Sequence, residues 1–223
     1  MKAYDWLLPT VLSTTAGAVD VIGFLALGGL FTAHITGNLV ILAVHYVTGD
    51  FCQIGPLLSV PVFVVVVGMV IVLFTNKATR KARRTLLILH AGLLAGFLAL
   101  GAGLGPFTNS DSAIAVSVGM IGVAAMATQN ALVALDLPGF PSTAVMTTNI
   151  TQLTIDLALL VCGKGDPTDL ARARRGARLT FPCVVGFVAG CAAGGFLELY
   201  FGLRALVLPV VLAAIAIPLS EHV

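Results

Sequence analysis

The chain has 223 residues, of which 58% are hydrophobic and only 10% are charged, and its mean hydropathy is +1.05. A soluble domain usually carries about a quarter charged residues, so these values exclude an ordinary soluble protein and predict an integral membrane protein. The net charge is only +2, and the basic residues are concentrated in two short segments. This distribution predicts membrane orientation and argues against nucleic-acid binding.

Apolar stretches long enough to cross a bilayer, which takes about 20 residues, alternate with polar breaks along the whole chain. The predicted spans are residues 7–30, 55–74, 85–104, 112–135, 179–201 and 205–219. Two shorter apolar helices are predicted at 38–47 and 149–162, each directly after a polar stretch, and the basic segments are 77–84 and 164–178. We therefore expect one all-α transmembrane domain over residues 1–223.

The two polar stretches before the short helices carry the same motif. The first motif (residues 31–38) and the second motif (residues 142–149) share the pattern Thr-Ala-x-(Ile/Met)-Thr-x-Asn, at a constant offset of 111 residues (143 − 32 and 149 − 38). An offset of half the chain predicts a duplicated fold, with repeat 1 at about 7–104 and repeat 2 at about 112–219. Paired broken segments at matching positions of two halves indicate a membrane transport site.

The basic segments decide between two topologies. If both short helices cross the membrane there are eight spans, and the basic segments lie on opposite sides. If each motif and its short helix form a re-entrant hairpin, both basic segments and both termini face the cytoplasm, as the positive-inside rule prefers. We therefore predict six transmembrane helices plus two re-entrant broken-helix hairpins. Three spans in each half make this an inverted internal repeat (3+3).

Side chains of the motifs predict a small polar site near the midplane, between the two hairpins. Asn38 and Asn149 are expected to cap the half-helices that follow them, and the helix N-termini would turn free N–H groups and positive dipole ends towards the site. Four hydroxyls add donors and acceptors: Thr32, Thr36, Thr143 and Thr147. Such a site suits a small polar or anionic solute. The alternative is that these groups only cap helices and satisfy each other.

Buried ionisable and amide side chains extend this predicted substrate-binding site. Asp20 lies near the middle of the first span, where a carboxylate is costly and usually faces a cavity or a partner. An Asp20–His34 pair could carry a proton, or Asp20 could be buried for packing. In the second half, Gln129 and Asn130 stand at about the position of Asp20.

Helical spacing singles out two further faces. Asn149, Gln152 and Asp156 share one side of the second short helix, where Asp156 has either a functional or a simple interfacial role. The second face has a G-x-x-x-G-x-x-x-G pattern, which permits close helix approach. It serves either packing within the bundle or a possible homodimer and consists of Gly186, Gly190 and Gly194.

Sequence motifs typical of enzymes, such as H-E-x-x-H, G-x-S-x-G and the P-loop, are absent. The four cysteines form no C-x-x-C pair. We therefore expect no enzyme activity, no cofactor, no metal site and no disulfide framework.

Several of these residues together resemble a known family. They are residues 17–20 (Gly-Ala-Val-Asp), the F-x-x-x-x-T-G-N element within the first motif, Gln129-Asn130 and Thr147-Thr148-Asn149. This combination is similar to the YoaK-type family of bacterial inner-membrane proteins of unknown function. The second motif departs from the first, with Thr148 in the place of Gly37. The resemblance implies a multi-pass protein of the bacterial inner (plasma) membrane and gives no substrate.

From the sequence we expect a transporter or channel for a small polar or anionic solute, acting in the lipid bilayer. The rival class is a non-transporting scaffold or sensor whose broken helices are structural. A membrane-embedded enzyme is a third class, which no motif supports.

Overall fold

The computed structural model describes residues 6–49, 53–74, 80–137, 139–163 and 165–222. Two short 3₁₀ segments, Gly202–Leu206 and Ser220–His222, flank the last helix. The α-helices of the described part are α1 Leu7–Ala26, α2 Ile35–Thr48, α3 Ile54–Phe74, α4 Arg80–Leu104, α5 Ala113–Asp136, α6 Met146–Cys162, α7 Pro167–Phe201 and α8 Val207–Leu219. The all-α prediction is confirmed.

Within the described ranges, five stretches are long and apolar enough to cross a membrane. Four coincide with α1, α3, α4 and α5, and the fifth runs through both α7 and α8, from Pro167 to Leu219. The helices α2 and α6 are apolar but shorter. The prediction of a membrane protein with several apolar helices is therefore confirmed.

The helices that follow the basic segments begin inside these segments, earlier than the predicted spans, which corrects the predicted bounds. α7 begins at Pro167, not near 179, and α4 begins at Arg80, not at 85. Proline in the first turn and Asp169 close behind it are helix-start signals, and arginine is a good helix former. With 35 residues, α7 is about 52 Å long, so its basic first turns extend past a hydrocarbon core of about 30 Å. Residues 77–79 and Lys164 lie outside the described residues.

The helices pack in pairs that match between the two halves of the chain. α1 packs against α7, and α3 packs against α5; α4 packs against α5, and α8 packs against α1. The short helices are peripheral, because α2 packs mainly on α3, and α6 mainly on α7. α1 and α5 are the most buried helices and form the centre of the bundle.

Hydrogen bonds tie together the helix ends at each end of the bundle. At one end, Arg83 at the start of α4 forms an ion pair with Asp136 at the end of α5 and donates to the Ser220 carbonyl oxygen after α8 at 3.0 Å. At the opposite end, the Asp111 carboxylate between α4 and α5 accepts from the backbone N–H of Ile54 at 2.8 Å. Gln53 donates from Nε2 to the carbonyl oxygen of Gly28, after α1, at 3.3 Å.

The three-glycine face of α7 packs against α1 of the same chain. A Cβ built at Gly194 would lie 2.9 Å from the Cα of Ala18, and one at Gly190 would lie 2.9 Å from the carbonyl carbon of Thr14. Contacts this close to backbone atoms require glycine. The face therefore serves packing within the bundle. A homodimer through Gly186, Gly190 and Gly194 would have to displace α1.

Candidate functional site

The first motif is held against the middle of α1 by Asp20, which is only 2% exposed. Its Oδ1 accepts from the backbone N–H of Thr32 at 2.8 Å, from that of Ala33 at 2.6 Å and from the Thr32 hydroxyl at 3.1 Å. Its Oδ2 pairs with Nδ1 of His34. The structure thus brings together three of the predicted residues. The four partners offset the cost of burying a carboxylate in this position.

Asn38 clamps the same motif from the other side, and it does not cap α2 as predicted. The helix begins at Ile35, so Asn38 is its fourth residue. Its Oδ1 accepts from the backbone N–H of Phe31 at 2.9 Å, and its Nδ2 donates to the Phe31 carbonyl oxygen at 2.7 Å. Nδ2 also donates to the Ser59 hydroxyl of α3 at 2.8 Å. The side-chain amide thus pairs with both the N–H and the C=O of Phe31, as a neighbouring strand would, and satisfies backbone groups that would otherwise have no partner.

The second motif repeats part of this arrangement with different chemistry. Asn149, the fourth residue of α6, donates from Nδ2 to the Ser142 carbonyl oxygen at 2.5 Å, which is the equivalent of the Asn38–Phe31 bond. Gln129 donates from Nε2 to the Thr143 hydroxyl at 3.0 Å and to the Leu12 carbonyl oxygen at 3.0 Å. Ser142 accepts from the backbone N–H of Val145 at 3.0 Å. This bond lies in the turn before α6, and no side chain caps the helix, so the prediction that Asn149 is the cap is wrong.

Each short helix begins at its own cavity. The first cavity, of about 440 Å³, borders the start of α2 and is lined by Asp20, Val21, Phe31, His34, Thr36, Gly37, Val40, Phe187 and Cys191. The second, of about 750 Å³, lies between α6 and α7 at the start of α6, where its lining includes Ser142, Val145, Thr148 and Asn149. Neither of these two cavities is lined by residues of both motifs, so each of the two cavities belongs to one motif.

Two of the predicted site residues lie apart from these arrangements. Asn130 donates from Nδ2 to the carbonyl oxygen of Met126 at 2.9 Å, one turn earlier on α5. Thr147 is exposed on the outside of α6, and its carbonyl oxygen accepts from the Thr151 hydroxyl at 2.9 Å. Thr148, its neighbour, lines the second cavity instead.

Sequence reasoning missed three residues around the first motif. Ser59 binds Asn38, and it carried a signal, since it is the only polar residue between 55 and 74. Phe187 and Cys191 of α7 line the first cavity, and the ring of Phe187 packs edge-on against His34 at a centroid distance of 5.5 Å. In the sequence these two apolar residues look like the other apolar residues of α7, so no pattern marks them as site residues.

Metal and disulfide chemistry find no support in the described part of the chain. It contains no group of three or more His, Cys, Asp or Glu side chains that could hold a metal ion. Cys162, Cys183 and Cys191 are free thiols, and Cys52 lies outside the described residues.

Comparison with known proteins agrees with the resemblance seen in the motifs. The chain is 58% identical over 40 residues to the UPF0700 transmembrane protein YoaK of Bacillus subtilis (strain 168), a match that covers 18% of each chain. No solved structure matches the chain significantly. Residues 8–219 match the family described as "Protein of unknown function (DUF1275)". Because this match covers nearly the whole chain, the protein belongs to the DUF1275 family.

Proposed function

We propose that the protein is a transporter or channel for a small polar or anionic solute in the bacterial inner membrane. One observation carries the proposal: two half-helices begin inside an apolar bundle, and each N-terminus opens onto a cavity. Irregular backbone at membrane depth is tolerated where it is buried in protein or lines a polar cavity. In transporters, discontinuous helices of this kind form the solute and ion sites.

The path of the first motif supports a re-entrant hairpin. Asp20 lies six residues before the end of α1, so the motif that it binds has returned about 9 Å into the bundle. α2 then leads to Gln53 and Ile54, whose bonds to Gly28 and Asp111 place the start of α3 at the end where α1 finished. These contacts support a course in which the chain enters and leaves from one side.

We propose the same course for the second motif, from the opposite end of the bundle. It is bound by Gln129, seven residues before the end of α5, and α5 ends beside Arg83 at the basic end. α6 then leads to the basic first turns of α7. Together with the matched helix pairs, this supports a 3+3 inverted repeat with six crossings, and with both basic segments and both termini in the cytoplasm.

This topology predicts which sites are accessible from each side. In a variant without native cysteines, Lys81→Cys and Thr168→Cys should both be labelled by a membrane-impermeant maleimide only after the cytoplasmic side is opened. Thr108→Cys, between α4 and α5, is the matched control and should be labelled in intact cells. Labelling of Thr168→Cys from outside would restore the eight-span alternative.

The chemistry of the half-helix starts suits a small polar or anionic solute. The first turn of a helix has N–H groups without intrahelical partners and carries the positive end of the dipole. In the first cavity this end lies beside the Asp20–His34 pair, which could exchange a proton because histidine titrates between about pH 5 and 8. We propose that proton exchange by this pair is coupled to movement of the solute.

Flux through liposomes tests the proposal. Vesicles that contain the protein should admit at least one of urea, formate or nitrate faster than protein-free vesicles, as measured by stopped-flow light scattering. Thr36→Phe and Thr148→Phe place a ring in the first and second cavity and should return the rate to the protein-free level. Val72→Phe, on a residue 82% exposed on α3, is the control and should leave flux unchanged.

A scaffold or sensor is the second candidate, and a specific observation favours it. All the hydrogen bonds of Asp20 and Asn38 described above go to the protein itself, mostly to the first motif. This is what a purely structural broken helix requires. If none of these solutes moves and the cavity-filling variants change nothing, the scaffold is the better description.

A further inference from the structure

The second cavity contains a buried carboxylate that has one oxygen without a partner. Asp156 is 5% exposed, and its Oδ1 accepts from Nε2 of Gln152 at 2.9 Å. Its Oδ2 is buried and has no hydrogen-bond partner. A carboxylate buried in this way is costly unless a positive group or donor reaches it.

The neighbouring helix is shaped to admit this carboxylate. Gly176 of α7 lies directly against Asp156, and a Cβ at that position would be 3.1 Å from the Asp156 Cγ and would overlap Oδ2. Only a residue without a side chain leaves room for the carboxylate here. The site therefore depends on residues from two helices, α6 and α7.

The arginines of α7 do not neutralise Asp156. Arg172 lines the cavity, but its Nη1 donates to Oδ1 of Asp169 at 3.1 Å, and its side chain is 80% exposed. The other three arginines of α7 are also exposed: Arg174, Arg175 and Arg178. Among the described residues, the cavity lining carries two carboxylates and one guanidinium, so its carboxylates outnumber its basic groups by one.

The shape and lining of the cavity indicate what kind of cation fits. Its volume of about 750 Å³ is in the range of small-molecule pockets and far larger than a bare ion. The described residues offer no cluster of three acidic, histidine or cysteine ligands. Apolar side chains make up much of the wall and suit a hydrocarbon body: Phe140, Pro141, Leu159 and Leu179.

We propose that this cavity binds a small organic cation, whose ammonium group is held by the carboxylate of Asp156 while its body packs on the apolar wall. The inference rests on the proposed function, because the cavity is the one at the second motif, and at this cavity it narrows the polar solutes proposed above to those that carry a positive charge, in place of an anion.

Calorimetry on the purified protein in nanodiscs tests this site, with n-butylammonium chloride as the probe. Wild type should bind butylammonium saturably, and neither 1-butanol nor sodium chloride should reproduce the binding. Asp156→Asn keeps the shape and removes the charge, and it should weaken binding by about tenfold or more. Gly176→Ala should do the same by displacing the carboxylate. Glu198→Gln, which removes a carboxylate at the opposite end of α7, is the matched control and should bind like wild type.

Three results would overturn the site. They are an absence of butylammonium binding by folded wild type, equal binding by Asp156→Asn, and the same saturable heat from sodium chloride alone. The transport proposal and the cation-site proposal can be contradicted independently of each other. Butylammonium binding without solute flux would contradict transport and leave the site intact, whereas flux without binding would contradict the site alone.

Discussion

Replacing Asp20 by alanine is expected to be among the most destabilising single changes in this protein. The substitution leaves the buried N–H groups of Thr32 and Ala33 without an acceptor and releases His34. Buried donors without partners cost about 1–3 kcal/mol each, so we expect a loss of about 3–5 kcal/mol. The measurement is thermal or denaturant unfolding of the purified variant, beside its yield in the membrane fraction.

Asp20→Asn separates the structural role of Asp20 from proton coupling. The asparagine oxygen can still accept from the Thr32 and Ala33 amides, so the stability loss should be about 1–2 kcal/mol. A proton-coupled flux would nevertheless lose its dependence on the pH gradient, because the ion pair with His34 is gone. Unchanged pH dependence in this variant would leave Asp20 with a structural role alone. Stability of Asp20→Ala close to wild type would contradict the anchoring role itself.

The features that the sequence predicted well are those set by composition and by repetition. Long apolar stretches predicted the membrane helices, and the offset between the motifs predicted two short helices at matching positions, as found at α2 and α6. The expected pairing of Asp20 with His34 is present. An isolated carboxylate in an apolar span needs a partner, and that need can be recognised without coordinates.

The features that the sequence did not predict depend on where a helix begins and on which residues of different helices come into contact. Asn38 was expected to cap a helix because asparagine is a good cap, yet α2 begins three residues earlier and the amide binds the Phe31 backbone instead. The unpaired oxygen of Asp156 depends on Gly176, which is 20 residues away in sequence and on another helix. No local pattern records such a contact.

Gly190→Ala is expected to have the second large effect, because α1 and α7 meet there through their backbones. A Cβ at Gly190 would overlap the Thr14 carbonyl oxygen and lie 3.0 Å from the Thr14 Cα. Backbone atoms cannot rotate away as a side chain can, so the helices must separate along the whole glycine face. Overpacking of this kind costs about 1–3 kcal/mol, and we expect the upper end of that range. The loss should appear as a lower midpoint of thermal unfolding.

Gly92→Ala on α4 is the matched control for this substitution. It forms a G-x-x-x-G pair with Gly96, yet a Cβ at Gly92 would meet nothing within 4 Å. Alanine is favoured over glycine in a helix by about 1 kcal/mol, so this variant should be as stable as wild type or more stable. The opposite signs of the two changes would distinguish close helix packing from a general effect of glycine on helices. If Gly190→Ala proved as harmless as Gly92→Ala, the backbone contact between α1 and α7 would be wrong, and the glycine face would again be available for a second copy of the chain.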